Sequence, residues 1–208
     1  MSIKNIMPRT IEQNEQIRLE RINIIMTSAM YLFATKGYDS TTLDEIAKDS
    51  GSSHGLLYHY FKNKNGIYDH LIDNVVFPMM HNLVNSIDFK QKAKFVLYDL
   101  LNVITKALKS EDDQYAWAIN LLISLDLSIV EGTKSTSVSK AKNKKVFTWI
   151  SSTIERGQAE GDFNKEKNVR EVAASLLCFL KGLAYSRTRL GHKRFICPNI
   201  QIPLSMVY

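Results

Sequence analysis

Little in this chain of 208 residues could build a covalent or metal scaffold. Two cysteines, Cys178 and Cys197, make no disulfide framework, which excludes a small cross-linked secreted domain and leads us to expect a reducing, cytoplasmic setting. Cys178 sits in an apolar stretch and reads as a small core residue. Only four prolines and nine glycines interrupt the chain, so long helices are free to form. No apolar run reaches the roughly 18 residues that span a bilayer, so no membrane partner is expected. Residues 1–10 hold no apolar signal segment. HExxH, paired-cysteine, glycine-rich phosphate-loop and nucleophile-elbow motifs are all missing. His54 and His59 stand five apart, off a common helical face, and His70 and His81 are isolated, so no metal and no cofactor are expected. Nothing pairs a base with a nucleophile, so the chain does not read as an enzyme.

Charge is present but uninformative by itself. The formal charge is +6, yet residues 1–66 carry eight Lys and Arg against seven acids. The excess lies in the stretch from Lys134 to Lys145 and in the last forty residues. Global basicity therefore does not identify a nucleic-acid partner, and local pattern has to.

The local pattern is in residues 41–64, TTLDEIAKDSGSSHGLLYHYFKNK. A helix from about Ile17 to Lys36 precedes it, with Ile22, Ile25, Met26, Ala29 and Phe33 on one apolar face. Gly37 follows as a C-terminal cap. Thr42 and Glu45 spell a capping box, and Leu43, Ile46 and Ala47 give the next helix its buried face. Gly51 permits the positive φ of a sharp turn. Ser53 is a good N-cap for a third helix, His54 to Phe61. Leu57 and Phe61 point inward there, leaving His54, Gly55, Tyr58 and His59 outside. No acid occurs between Asp49 and Asp69. A helix, a tight turn and a second helix with a polar, acid-free outer face are suited to the major groove of DNA.

These residues resemble the DNA-binding region of the TetR family of bacterial transcriptional regulators. The likeness rests on Phe33, Gly37, Tyr38, Thr41, Thr42, Ile46, Ala47, Gly51, Ser53, Gly55, Leu57, Tyr58, Tyr60, Phe61 and Lys64, over about 45 residues. Ser52 departs from it where Val is usual, and so does Gly66 in the first turn of the fourth helix, where it should cost about 1 kcal/mol of helix propensity. The resemblance implies an all-α fold: a three-helix helix-turn-helix DNA-binding domain over residues 9–62, then a larger helical effector-binding and dimerisation domain over residues 63–208. It implies a DNA-contacting set of Thr42, Ser53, His54, Gly55, Leu56, Tyr58, His59, Tyr60 and Lys64. Within that set Thr42, Tyr58, Tyr60 and Lys64 would hold phosphates, and His54, Leu56 and His59 would meet base edges.

Behind the motif, a fourth helix begins near Asn63 and should end or kink at Pro78. Further helices are expected over about Gln91–Leu108, Tyr115–Val130, Lys142–Glu160 and Asn168–Leu190, with a break at Gly161. The last two, by resemblance, form a homodimer interface, with candidates Phe147, Ile150, Ile154, Leu176, Leu180, Leu183 and Ala184. Intrachain core is an equal account of each. Met79, Met80, His81, Tyr98, Tyr115, Trp117 and Trp149 could line a pocket for a small lipophilic or aromatic effector, although ordinary core packing explains them as well. The tail after Gly191 has no assignment.

The implied function is a ligand-responsive, homodimeric regulator, a repressor released from a palindromic, double-stranded DNA operator when an effector binds the DNA-free form more tightly. Two rivals stand beside it: an effector-independent architectural DNA-binding protein, and a helical module whose main partner is a protein. The effector, the operator and the regulated genes are not legible.

Overall fold

The computed structural model describes residues 10–130 and 144–208, all helix, turn and loop with no strand among them. Helix α1 (Ile11–Lys36) starts six residues earlier than its apolar periodicity predicts. The start is set by polar groups instead. The Thr10 hydroxyl accepts from the Gln13 amide at 3.2 Å, and the Gln13 side chain accepts from the Thr10 amide at 3.0 Å. Residues 11–21 are exposed, so their sequence carries no buried face to detect.

Three short helices follow: α2 (Leu43–Asp49), α3 (His54–Phe61) and α4 (Lys64–Leu71). A five-residue π turn, Ile72–Val76, then leads into α5 (Phe77–Val84). Pro78 does not end the helical path, which runs on to Val84. A π turn moves hydrogen bonds from i−4 to i−5, so the bond that Pro78 cannot donate is lost where the ladder is already shifting. Gly66 also behaves differently from expectation. A Cβ there would lie far inside contact distance of the Phe61 carbonyl, so the glycine lets α4 close on the end of α3.

The body contains α6 (Ala93–Lys109), α7 (Asp113–Val130), α8 (Lys144–Ala159), α9 (Val169–Leu190) and a last turn, α10 (Gln201–Leu204). Most of the basic stretch, residues 134–143, lies outside the described residues. Two apolar cores result. One joins Ile25, Ala29 and Phe33 of α1 to Ile46, Leu57, Phe61, Ile67 and Leu71. The other joins Leu97, Leu101 and Leu108 of α6 to Ile150, Ile154, Leu176, Leu177 and Leu180. Helix α7 belongs to both: Ala118 and Leu121 enter the first, Ile119 and Ile123 the second. The Asn120 amide donates to the buried Ala34 carbonyl at 2.9 Å, fixing α7 to α1.

The tail folds back onto the body. Leu204 and Val207 are buried in its core, and the Asn164 amide donates to the Val207 carbonyl at 3.0 Å. Cys178, expected inside, is exposed on α9.

One buried charge fastens the body. Arg187 of α9 is fully buried. Its guanidinium donates to the Leu108 carbonyl (2.9 Å), the Ser110 carbonyl (2.8 Å) and the Asp113 carboxylate (2.5 Å), so it satisfies the end of α6 and the start of α7 together. Removing it strands two carbonyls and a carboxylate. Arg187→Met is expected to destabilise the chain by about 3 kcal/mol, read from the midpoint of urea unfolding. A change below about 1 kcal/mol would mean that solvent replaces the guanidinium.

Candidate nucleic-acid interface

The N-terminal unit is built from caps. The Thr42 hydroxyl accepts from the Glu45 amide at 3.2 Å, and the Glu45 carboxylate accepts from the Thr42 amide at 2.9 Å. Lys36, in the last turn of α1, pairs with the same carboxylate. That hydrogen bond, then the one from the Thr42 backbone, lowers the Glu45 pKa to about 2. The Thr41 hydroxyl, buried, donates to the Gly37 carbonyl at 2.8 Å. Gly51, at φ +59°, makes the turn between α2 and α3. Ser53 accepts from the Leu56 amide at 3.2 Å and starts α3.

With Leu57 and Phe61 buried, the helical period turns His54, Gly55, Tyr58 and His59 to solvent together. Leu56 and Tyr60 are half-covered at the edges of that face. The His54 and Tyr58 rings meet edge-on at 4.8 Å, and His54 Nε2 lies 3.2 Å from an Asp44 carboxylate oxygen of α2. The His59 and Tyr60 rings lie 5.3 Å apart. The Arg18 guanidinium stands 6.0 Å from the Tyr60 ring centre, so the exposed start of α1 borders the same face.

Sequence reasoning missed Asp44 and Arg18. Asp44 reads as a first-turn acid suited to its helix N-terminus, and Arg18 lies more than forty residues from Tyr60 with no local signal. Thr42 and Ser53 keep exposed hydroxyls but use them as caps. Lys64 differs more from its expected role. Its ammonium donates to the Tyr38 carbonyl (2.9 Å), the Thr41 carbonyl (2.9 Å) and the Asp39 carbonyl (3.4 Å), and sits 4.4 Å from the centre of the Tyr38 ring. Its donors hold the loop between α1 and α2. Nearby Tyr38 donates to the Asn65 side chain, and Tyr68 packs edge-on against Tyr38 and Phe33. Burial, then the neighbouring Tyr38 and Asp69, pushes the Tyr68 phenol well above its usual range.

The other two candidate sets do not gather as expected. Of the proposed pocket residues, Trp117 packs on Tyr31 of α1 at 5.3 Å, Trp149 packs edge-on against Phe89 at 5.6 Å, and Tyr98 is exposed. Met79 and Met80 flank the first core, with Met80 also touching the second, which Tyr115 and Trp149 join. His81 is exposed. The reason is periodicity: these residues lie on different faces of their helices. Of the expected dimer residues, Ile150, Ile154, Leu176, Leu180 and Ala184 are buried within a single chain and have no surface left for a partner, so they are core. Phe147 and Leu183 are only partly buried.

A helix-turn-helix with an exposed second helix, mounted on a larger helical body, is an arrangement suited to reading DNA. Residues 25–71 match the model for bacterial regulatory proteins of the tetR family. The negative transcriptional regulator IcaR of the biofilm operon icaADBC in Staphylococcus aureus (strain Newman) is 38% identical over 60 residues, 29% of this chain and 32% of that protein. The chain thus matches about a third of that relative's length. Two solved structures share the fold throughout. A tetR-family regulatory protein from Rhodococcus RHA1 has a TM-score of 0.60 at 18% identity, covering 90% of this chain and 97% of that one. The fatty acid degradation regulator FadR from Bacillus halodurans has a TM-score of 0.58 at 20% identity, covering 89% and 92%.

The placement of Lys64 makes a measurable difference. Lys64→Met is expected to destabilise the chain by about 2 kcal/mol in the absence of DNA, because three carbonyls lose a charged donor. A thermal midpoint unchanged from the parent would show the lysine to be free for phosphate instead.

Proposed function

We propose that the chain is a homodimeric transcriptional repressor that reads a two-fold-symmetric operator through α3. One observation carries this: α3 turns His54, Gly55, Tyr58 and His59 outward on one continuous face, inside the segment that matches the family. Tyr58 contacts phosphate through its hydroxyl, and His54 and His59 reach base edges near the helix start and middle. The repressor sign follows the role of the Staphylococcus aureus relative as a negative regulator.

The dimer uses the surface that the core leaves over. On α9, Ser175, Cys178, Gly182 and Tyr185 recur at helical spacing and are exposed; on α8, Ser152 and Glu155 are exposed beside the half-covered Phe147. Small residues allow two helices to approach closely, with Tyr185 as the large group to bury. Release by a lipophilic or aromatic effector fits a body linked to the reader by a π turn and a shared helix, since such turns tolerate rearrangement.

DNase footprinting on DNA flanking the chain's own gene, at fixed near-physiological salt, tests the reading. A protected palindrome supports it, and that DNA becomes the assay for release by effectors. Diffuse protection at dispersed sites would favour an architectural protein. Tyr58→Phe should weaken all sequences alike by about 1 kcal/mol, whereas His59→Ala should alter the consensus recovered by in vitro selection; an unaltered consensus removes His59 from the readout. Tyr185→Arg should halve the mass seen in sedimentation, and a surviving dimer would place the interface elsewhere.

A further inference from the structure

A cleft of about 280 Å³ opens between α1, α2 and α7. Its lining is Thr27, Ser28 and Tyr31 from α1, Asp49 at the end of α2, and Trp117 from α7. It lies where the N-terminal unit meets the body, and none of its lining comes from α3. We propose that this cleft binds a small organic cation, a substituted ammonium.

The chemistry of the lining selects that class. Tyr31 and Trp117 stand 5.3 Å apart with their planes tilted by 57°, forming a corner of two aromatic walls. Aromatic faces carry negative potential and attract cations within about 6 Å, indole most strongly. Asp49 adds a full negative charge, and it has neither a hydrogen bond nor an ion pair among the described residues. No Lys, Arg or His is part of the lining, so nothing in the cleft neutralises that carboxylate. An anion would meet repulsion from both rings and the acid. A neutral apolar ligand would leave the carboxylate unused. A bare metal ion would find one carboxylate and three hydroxyls, short of the six or more oxygens that a hard cation takes. A methylated ammonium fits: its charge is diffuse, its surface is apolar, and the cleft lies just below the size range of sites for drug-sized ligands.

Occupancy has a structural consequence. The cation would touch α1 and α2 of the reader and α7 of the body at once, so it would hold the two units in their present relation. That effect is independent of whether α3 binds DNA, and so is the test.

The chain has two tryptophans, Trp117 and Trp149. In a full-length Trp149→Phe variant, indole fluorescence reports the cleft alone. The variant is titrated with choline and with 3,3-dimethylbutan-1-ol, a neutral molecule of the same shape. Choline should give a saturable change, and the alcohol should bind about tenfold more weakly. Asp49→Asn in the same background should weaken choline about fivefold, the scale of one exposed charge pair. Tyr31→Leu provides a second lining change if Asp49→Asn fails to fold by circular dichroism, and it too should weaken choline. The proposal is overturned if choline gives no saturable change, if both molecules bind equally, or if the folded lining variant binds choline as well as the parent does.

Discussion

Helix α7 is the constraint on which the rest depends. Its Ala118 and Leu121 join a core made otherwise from α1 to α4 and the π turn, while Ile119 and Ile123 join a second core made mainly from α6, α8, α9 and the C-terminal tail. A helix apolar on two sides cannot be lifted from either unit without exposing the other. The Asn120 amide then fixes its height against α1 through the Ala34 carbonyl. Small residues at 116 and 118 let the neighbouring helices approach, and Trp117 between them fills the seam against Tyr31. The boundary expected at residue 62 or 63 separates chain segments, but the first core runs across it and draws in residues more than fifty positions away.

Around that shared helix, polar groups do the fastening and apolar groups supply the bulk. Arg187 ties α9 to the turn between α6 and α7. Glu160 accepts from the Ala93 amide at 2.8 Å, and Lys94 pairs with Asp162 at 2.7 Å, so the end of α8 holds the start of α6. The hydrogen bond from Lys94 lowers the Asp162 pKa and raises the lysine's own. In the reader, Lys64 does for the loop between α1 and α2 what Arg187 does for the body. Arg187 and Glu160 reach carbonyls and an amide that helix ends leave unsatisfied, and Lys64 does the same for loop carbonyls, the groups most costly to bury alone.

How much of this was legible follows from the range of each signal. Capping boxes, the Gly51 turn and the inward pair Leu57 and Phe61 are local, and the sequence alone located the start of α2 and both ends of α3 to within a residue. Outward placement of His54, Gly55, Tyr58 and His59 is a consequence of the same period. The long-range features were illegible for an equally physical reason. Apolar residues at helical spacing say that a face is buried, not against what, so Ile150, Ile154, Leu176, Leu180 and Ala184 read equally as interface or core. Aromatic and Met residues gave no hint that Trp117 and Trp149 serve different surroundings. The early start of α1 escaped because an exposed helix has no periodicity to read, and Gly66 looked like a loss of helix propensity because its neighbour Phe61 is on another element.

The π turn at Ile72–Val76 has a bearing on lineage as well as on shape. A π turn holds one residue more than the α-helical path it interrupts. Everything after it is rotated by about 100° relative to an uninterrupted helix of the same rise, which changes the side of α5 that meets α6 and α7. A single-codon insertion at this point would therefore be absorbed without breaking the rod, and it would re-aim the whole segment that follows. Chains with the same N-terminal unit could in this way present different faces of the segment that follows it.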